Sequence, residues 1–327
     1  MGLPGSFART LLCALMLPWA LPAATPLERG PHHTVHLREG PEPASWIQLE
    51  TGLNYWDPAA NAWLPAQELV EPDDDGAIAR HGQHRAVFSS NANDPEGAIT
   101  LEIDHTTRLR SSALGLRYYD PVTGRYAWLA TIQDATGEIV PPNQILYRNA
   151  FDHVRADLLY TYRKHGVEAD VVLRETLPPP DTLGLNPETT RLEVLTEFFE
   201  APEPHRQPRV LATVQDAAVR ARVAEPDWID EEIRFGPHRL ANGRAFAWED
   251  RDAARARPAD FAPVGKRWVT GLDRRTVLVE SVEYQALLQD LVALPGRAAW
   301  RETTRGHAAT WAGLNPDQVR RRAWDRA

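Results

Sequence analysis

Apolar and polar residues alternate over short windows along much of this chain, and that two-residue period most constrains what it folds into. A strand sends successive side chains to opposite faces, so alternation marks a surface half in a core and half in water. Trp46-Ile47-Gln48-Leu49-Glu50 opens the series, followed by Arg85-Ala86-Val87-Phe88 and residues 98–103. Further strands are expected at 158–162, 171–173, 192–199, 210–214, 267–269 and 276–282. Leu192, Val194, Thr196 and Phe198 share one face, so 192–199 reads as a strand despite its two glutamates. Asn242-Gly243, between 238–240 and 245–248, is the strongest hairpin signal, because both residues tolerate the positive φ of a type I′ turn.

Helix signals are few. Leu287, Leu288, Leu291 and Leu294 recur at helical spacing within 284–294, and Pro295-Gly296 stops the run. Asn315-Pro316-Asp317 offers a cap and a first-turn proline for a short basic helix over 318–326. With 27 prolines and 11 tryptophans the composition suits a loop-rich, aromatic-studded β protein rather than a helical bundle. The expectation is an all-β chain: an antiparallel β-sandwich with long hairpins and a short α-helical C-terminal tail. Pro-rich stretches at 177–187 and 201–208 read as a long loop and a seam. The expected organisation is a sandwich module over 25–200 and further strands over 201–284, in the same module or a second small unit. A helical basic tail follows over 285–327.

The first 24 residues read as a secretory signal peptide. Arg9 supplies the positive charge, residues 11–20 an apolar run broken by Pro18, and Ala23 and Ala24 the small residues at a cleavage site. That run is about 10 residues, half of the roughly 20 that span a bilayer, and no later stretch is longer, so no membrane span is expected. The single cysteine, Cys13, falls inside the run and leaves with it. The mature chain then has no disulfide and no thiolate metal site, and its stability must come from packing. The expected destination is the periplasm, the cell surface or the medium. A net charge of −9 argues against nucleic acid as a partner, since phosphate binding needs clustered Lys and Arg in excess.

One stretch echoes another. Gly52-Leu53-Asn54-Tyr55-Trp56-Asp57-Pro58 recurs as Gly115-Leu116-Arg117-Tyr118-Tyr119-Asp120-Pro121. Each copy is followed by a turn, Ala60-Asn61 or Thr123-Gly124, and then by Trp63 or Tyr126-Ala127-Trp128. The pattern is strand, Asp-Pro turn, strand: Asp57 and Asp120 cap the turn through their side chains, while Pro58 and Pro121 pre-set φ.

Residues 116–125 are similar to the tyrosine-aspartate (YD) repeat signature of Rhs-type proteins, although the Ser/Asp-Pro-Gly element and a repeat array do not follow. A second likeness lies in Leu146-Tyr147-Arg148-Asn149-Ala150-Phe151, Ala156-Asp157-Leu158-Leu159-Tyr160 and Gly166-Val167-Glu168-Ala169-Asp170-Val171-Val172-Leu173. These resemble the non-repeat N-terminal region of large secreted bacterial surface proteins that often carry Rhs/YD repeats further along. The likeness extends over about residues 52–294, and it implies a β-sandwich-like module with no known activity and no catalytic residues.

His32, His33 and His36 form an HHxxH cluster of the kind that chelates Zn²⁺ or Cu²⁺, but no fourth ligand stands at a natural spacing, so a solvated terminus is expected. His81 and His84 are spaced to pair on a turn, but His84 is expected to cap or pack beside a strand. The acidic run Glu71-Pro72-Asp73-Asp74-Asp75-Gly76 lacks the spacing of a calcium loop and reads as a hairpin loop. Asp157, Glu168, Asp170 and Glu175 would serve glycoside hydrolysis if two stood at the right separation, but outward strand faces carry such residues routinely. No nucleophile elbow, phosphate loop, dinucleotide fingerprint or H-E-x-x-H is present. No catalytic residue, cofactor or metal is therefore assigned. Trp46, Trp63, Trp128, Trp248 and Trp268 read first as core or edge cover. Trp63, Tyr118, Tyr119 and Trp128 are the candidate ligand-facing residues, because sugar rings stack on exposed aromatics of β modules. The expected function is a non-catalytic secreted or cell-surface structural or interaction module whose partner is a cell-envelope polysaccharide or another surface protein. The alternative is a carbohydrate-binding or carbohydrate-active protein, a glycosidase or lyase.

Overall fold

The computed structural model describes residues 25–38, 43–104, 107–247, 261–270 and 275–296. The expected signal peptide, Trp248 and the expected helix over 318–326 lie outside the described residues. The chain divides into two compact units, Met1–Leu64 and Pro65–Ala327.

In the first unit β1 (Thr25–Gly30), β2 (His33–Arg38) and β3 (Ala44–Leu49) form an antiparallel three-stranded meander. β4 (Asn54–Asp57) and β5 (Ala62–Pro65) form a separate hairpin. One side chain ties the start of that hairpin to the meander. Asn54 is buried, and its amide donates to the Gly30 carbonyl (2.8 Å), the His33 carbonyl (2.9 Å) and Thr34 Oγ1 (3.1 Å). A buried amide with its donors filled fixes the position of the chain around it.

The second unit is a two-sheet sandwich. Its large sheet uses β6 (Glu71–Asp73), β7 (Gly76–Ala79), β8 (Arg85–Ser89), β9 (Ile99–Glu102), β10 (Arg108–Asp120) and β11 (Arg125–Thr131). The facing sheet is β12 (Gly137–Val140), β13 (Gln144–Tyr147), β14 (Ala156–Arg163) and β15 (Gly166–Leu173), paired in that order and antiparallel throughout. β16 (Arg191–Glu200) returns to the large sheet. β17 (His205–Thr213), the single-turn helix α1 (Ala217–Arg220), β18 (Asp227–Phe235) and β19 (His238–Arg239) follow, the three strands forming a small sheet of their own. The two-residue strands β20 (Arg244–Ala245) and β21 (Ala262–Pro263) pair with each other. β22 (Gly265–Thr270) and β23 (Thr276–Glu283) complete the large sheet, and α2 (Tyr284–Ala293) continues directly from β23.

β10 is the spine of this unit. It pairs with β16 along nearly its whole length; on its other side β9 takes residues 108–111 and β11 takes residues 115–120. Alternation then sorts its side chains. Leu116 and Tyr118 face the main core, where they meet Leu192 of β16, Val282 of β23, and Ile145, Leu158 and Tyr160 of the facing sheet. Leu287 and Leu291 of α2 close that core, and Tyr284 meets the Tyr118 ring edge-on at 5.6 Å.

One expectation needs correction. The Asn242-Gly243 hairpin does not form: β19 pairs back onto β18 through a turn at Gly236 (φ 61), and Leu240 N–H extends that pairing to the Ile233 carbonyl. β20 then pairs with β21 instead. A left-handed glycine six residues upstream of Asn242 closes a hairpin first, so the Asn-Gly pair is left as connection. Of the two alternatives for residues 201–284, β22 and β23 fall in the same sheet as β6–β11, since β23 pairs with β16 and β22 with β23, whereas β17–β19 form a small sheet of their own.

Candidate functional site

The YD-like hairpin of β10 and β11 is the site to which the sequence motifs point. Its turn is closed by Gly124 (φ 70), whose N–H donates to the Asp120 carbonyl at 2.8 Å. The Asp120 carboxylate is buried. It accepts from Val122 N–H (3.0 Å), Thr123 Oγ1 (2.8 Å) and Thr189 Oγ1 (2.8 Å), the last from the loop before β16. The segment after α1 docks on the same turn: Ala224 N–H donates to the Val122 carbonyl and Glu225 N–H to the Pro121 carbonyl. The hairpin tip is therefore an internal joint between three segments.

The echo in the first unit is looser. Asp57 Oδ1 accepts from Ala59 N–H (2.8 Å) and Ala60 N–H (3.1 Å), with Asn61 in the left-handed region (φ 48) and Pro58 exposed. Tyr55 and Tyr118 are both buried. The two glycines of the echo serve different needs. Gly52 has φ 72, which favours glycine, whereas a Cβ on Gly115 would lie 2.4 Å from the Ala130 carbonyl oxygen and 2.9 Å from Trp128 Cζ3.

Among the candidate ligand-facing residues, Tyr118, Tyr119 and Trp128 are buried, and only Trp63 is partly open. These three do not form a stacking platform in water. Tyr118 belongs to the main core and Trp128 to a small cluster with Leu195 and Val279. Tyr119 lies on the opposite face of β10 from Tyr118, within a charge lattice that local sequence patterns do not reveal.

Arg117, two residues before Tyr119, is the cross-strand neighbour of Glu193 on β16. Its Nε donates to Glu193 Oε2 at 2.6 Å, and Arg267 of β22 approaches Glu193 Oε1 at 3.6 Å. Arg267 also bonds Glu225 at 2.7 Å, and the Arg117 guanidinium lies over the Tyr126 ring at 5.1 Å. Burial raises the Tyr119 hydroxyl pKa well above the usual tyrosine range, and its hydrogen bond to Glu225 adds to this. Burial works against the Arg267 charge, but Glu225, Glu193 and Tyr119 outweigh it and raise its pKa. Both carboxylates thus share neighbouring guanidiniums. Nothing in this geometry frees a base or a nucleophile. The alternation around 192–199 does put Glu193 opposite the core-facing Leu192 and Val194; its burial depends on Arg117, 76 residues away.

A second buried ion pair holds the β17–β19 sheet to the edge of the large sheet. Lys266 is almost fully buried, and both its backbone N–H (3.2 Å) and its Nζ (2.6 Å) donate to Asp230 Oδ1. Arg209 bonds Oδ2 at 2.8 Å. Glu231 accepts from Trp268 N–H, so side chains of β18 cap the outward amides of β22. Burial raises the pKa of Glu280, the cross-strand partner of Lys266, although the Lys266 charge opposes the shift.

The remaining candidates are also engaged within the fold. Asp157 is buried, accepting from Asn149 N–H (2.8 Å) and pairing with Arg174 (2.7 Å). Glu175, also buried, accepts from Arg155 N–H. Glu168 is exposed and Asp170 partly so. Glu71 meets Arg80 and His81, so the acidic run carries its own counter-charges. His33 and His36 fall on opposite faces of β2; His36 stacks on Trp46 at 5.1 Å, and His32 Nδ1 accepts from Gly52 N–H. Among the described residues no group of three or more His, Cys, Asp or Glu is placed to hold a metal. No described helix is long and apolar enough to cross a membrane.

Comparison with protein-family models, with curated proteins and with solved structures found no match.

Proposed function

We propose that this chain is a non-catalytic, exported structural and interaction module, similar in role to the N-terminal regions of Rhs-associated surface proteins. One observation carries the reading. The YD-like hairpin, which bears the likeness, spends its polar and aromatic side chains on internal bonds, with Asp120 holding Val122, Thr123 and Thr189 while Tyr118 and Trp128 are buried. A hairpin used in this way serves to organise a fold.

Thermal melts and glycan-panel binding on Tyr118→Ala and Trp128→Ala test it. Each variant should lose roughly 3–5 kcal/mol, the cost of truncating a large buried aromatic. Unchanged melts with lost glycan binding would overturn the reading. Export is tested separately by intact mass of protein recovered from the periplasm or medium, which should lack about 23–24 residues. Retention of Met1 or Cys13 there sinks that part.

A second reading, carbohydrate binding, has its own support in the first unit. Trp56 is 45% exposed and meets Trp63 edge-on at 5.7 Å, which holds the pair at a fixed angle. Trp56→Ala should abolish glycan binding without moving the melt if this reading holds.

A further inference from the structure

Among the described residues, several outermost strands are defended against further pairing. β6 carries Glu71, Pro72 and Asp73; β17 carries Pro208 between Arg206 and Arg209; β1 has Pro26 and an irregular register between Pro26 and Glu28. The outer amides of β22 are capped by Asp230 and Glu231. Charges, prolines, bulges and covers of this kind prevent a sheet from recruiting another strand.

β3 has none of them. Its sequence, Ala-Ser-Trp-Ile-Gln-Leu, holds no charge and no proline, and it pairs with β2 without a register shift. It is the outermost strand of its sheet, and among the described residues nothing pairs with its far side. The hydrogen-bond phase shows which groups face outward. Glu50 N–H donates to the His32 carbonyl, so Gln48 and Trp46 are the next β3 residues to exchange backbone bonds with β2. Ser45, Ile47 and Leu49 therefore turn their N–H and C=O groups to the open side. Their neighbourhood is apolar as well: Ile47 is 62% exposed, Leu49 77% and Trp46 44%. Exposed aliphatic side chains beside open backbone donors and acceptors describe a surface made to receive a strand.

We propose that the occupant is β3 of a second copy of this chain, paired antiparallel about a two-fold axis at Ile47. The segment is self-complementary in that register. Ile47 stands against Ile47 of the second copy, and the small Ser45 stands against the larger Leu49. All three are the residues with outward backbone groups, which gives about six new hydrogen bonds across the axis. On the other face Trp46 lies beside Gln48 of the second copy, and within the paired strands no like charges meet. A closed two-fold interface requires such matching of a patch to itself, whereas a strand of foreign sequence requires none. The inference rests on the first unit alone and is independent of export or of the likeness to surface proteins.

Sedimentation of the full chain over a concentration series tests it. The chain should form a dimer, and Ile47→Lys, which sets two ammonium groups face to face on the axis, should weaken that dimer at least about tenfold. The circular dichroism of the variant, and its melting at a concentration where the wild type is also monomeric, should not change, because Ile47 is already mostly exposed. In a Cys13→Ser background no other cysteine remains, so mild oxidation of Ile47→Cys should give a disulfide-linked dimer. Hydrogen-bonded antiparallel partners have Cα atoms about 5.5 Å apart, inside the range a disulfide bridges. Gln48→Cys, displaced from the axis, should cross-link far less. A monomer up to about 100 µM, well above the concentration at which a specific dimer forms, overturns the proposal. A dimer indifferent to Ile47→Lys does so too, as does equal cross-linking at both positions.

Discussion

The two units treat the same residue types in opposite ways. In the second unit the described tryptophans, Trp128, Trp228 and Trp268, are all buried. Two of them sit where strands meet: Trp228 Nε1 donates to Ser281 at 3.0 Å, and Trp268 packs against Phe198 and Phe235. In the first unit Trp46 and Trp56 are half in water, and β3 leaves its edge open. Burial area follows size: a short segment removes a small share of its surface from solvent on folding, and a large sandwich removes more. The second unit therefore has the interior to hide aromatics and to satisfy buried ions. The first has surface, and its polar fixings, such as Asn54, position that surface more than they enclose it.

The largest expected effect tests whether the second unit depends on its buried ions. Asp230→Ala removes the acceptor of Lys266 Nζ, Lys266 N–H and Arg209 at once, leaving an ammonium with almost no access to water. Breaking a buried pair from one side costs about 3–5 kcal/mol, and removing both partners recovers much of it. Urea unfolding should show that loss for Asp230→Ala and a clear recovery in Asp230→Ala with Lys266→Met. A double variant no better than the single would mean that the β17–β19 sheet is held by something else.

The next effect is a pH dependence confined to the second unit. His84 is buried beside β8, its ring tilted against Tyr162 at 4.8 Å, and among the described residues its Nε2 meets no hydrogen-bond partner. Burial lowers its pKa from 6.5 to about 4; hydrogen bonds to the backbone of Gly166 and Arg163 oppose the shift, and His165 and His238 reinforce it. The unfolded chain takes up this proton near pH 6.5 and the folded chain only near 4, so stability is complete above about 6.5 and falls as pH drops between the two. At about 1.36 kcal/mol per pKa unit the loss approaches about 3 kcal/mol at pH 4. Urea melts at pH 7.5, 5.5 and 4 should show a steeper decline for the wild type than for His84→Gln. Parallel slopes would remove His84 from the account.

How much of this could be read from the sequence depended on the range of the interaction. Period-two alternation located β8, β14, β16 and β23, because each strand records its own two faces. The Leu287 and Leu291 spacing marked α2 for the same reason. Alternation does not say what lies above a face. Glu193 looks like an ordinary solvated glutamate until Arg117 and Arg267, from two other strands, are set beside it. Lys266 likewise reads as an edge cation, and only β18 turns it into a buried one. Tyr118, Tyr119 and Trp128 looked able to face a ligand because a motif identifies side chains without saying which layer covers them. The Asn242-Gly243 pair has good local turn chemistry, yet the Gly236 turn and the register of β18 decided the pairing first.

The smallest effect compares the two copies of the echo directly. Asp120 accepts three hydrogen bonds from a buried position, one of them from Thr189 outside the hairpin, whereas Asp57 accepts two local amides at a partly open turn. Bonds to a charged, buried acceptor are worth more than an exposed turn cap. Asp120→Ala should therefore cost about 2 kcal/mol and Asp57→Ala about 1 kcal/mol or less. A single global melt would blur that difference if the first unit opens separately, so local amide exchange is the sharper measurement. Asp57→Ala should speed exchange at Ala59 and Ala60 while leaving Val122 as protected as in the wild type. Asp120→Ala should speed exchange at Val122 and extend the loosening to Ala224 and Glu225, whose amides dock on the same turn. Loosening confined to Val122 would show that the docked segment is held by Arg267 and Glu225 rather than by the turn, and the second hairpin would then be as local a structure as the first.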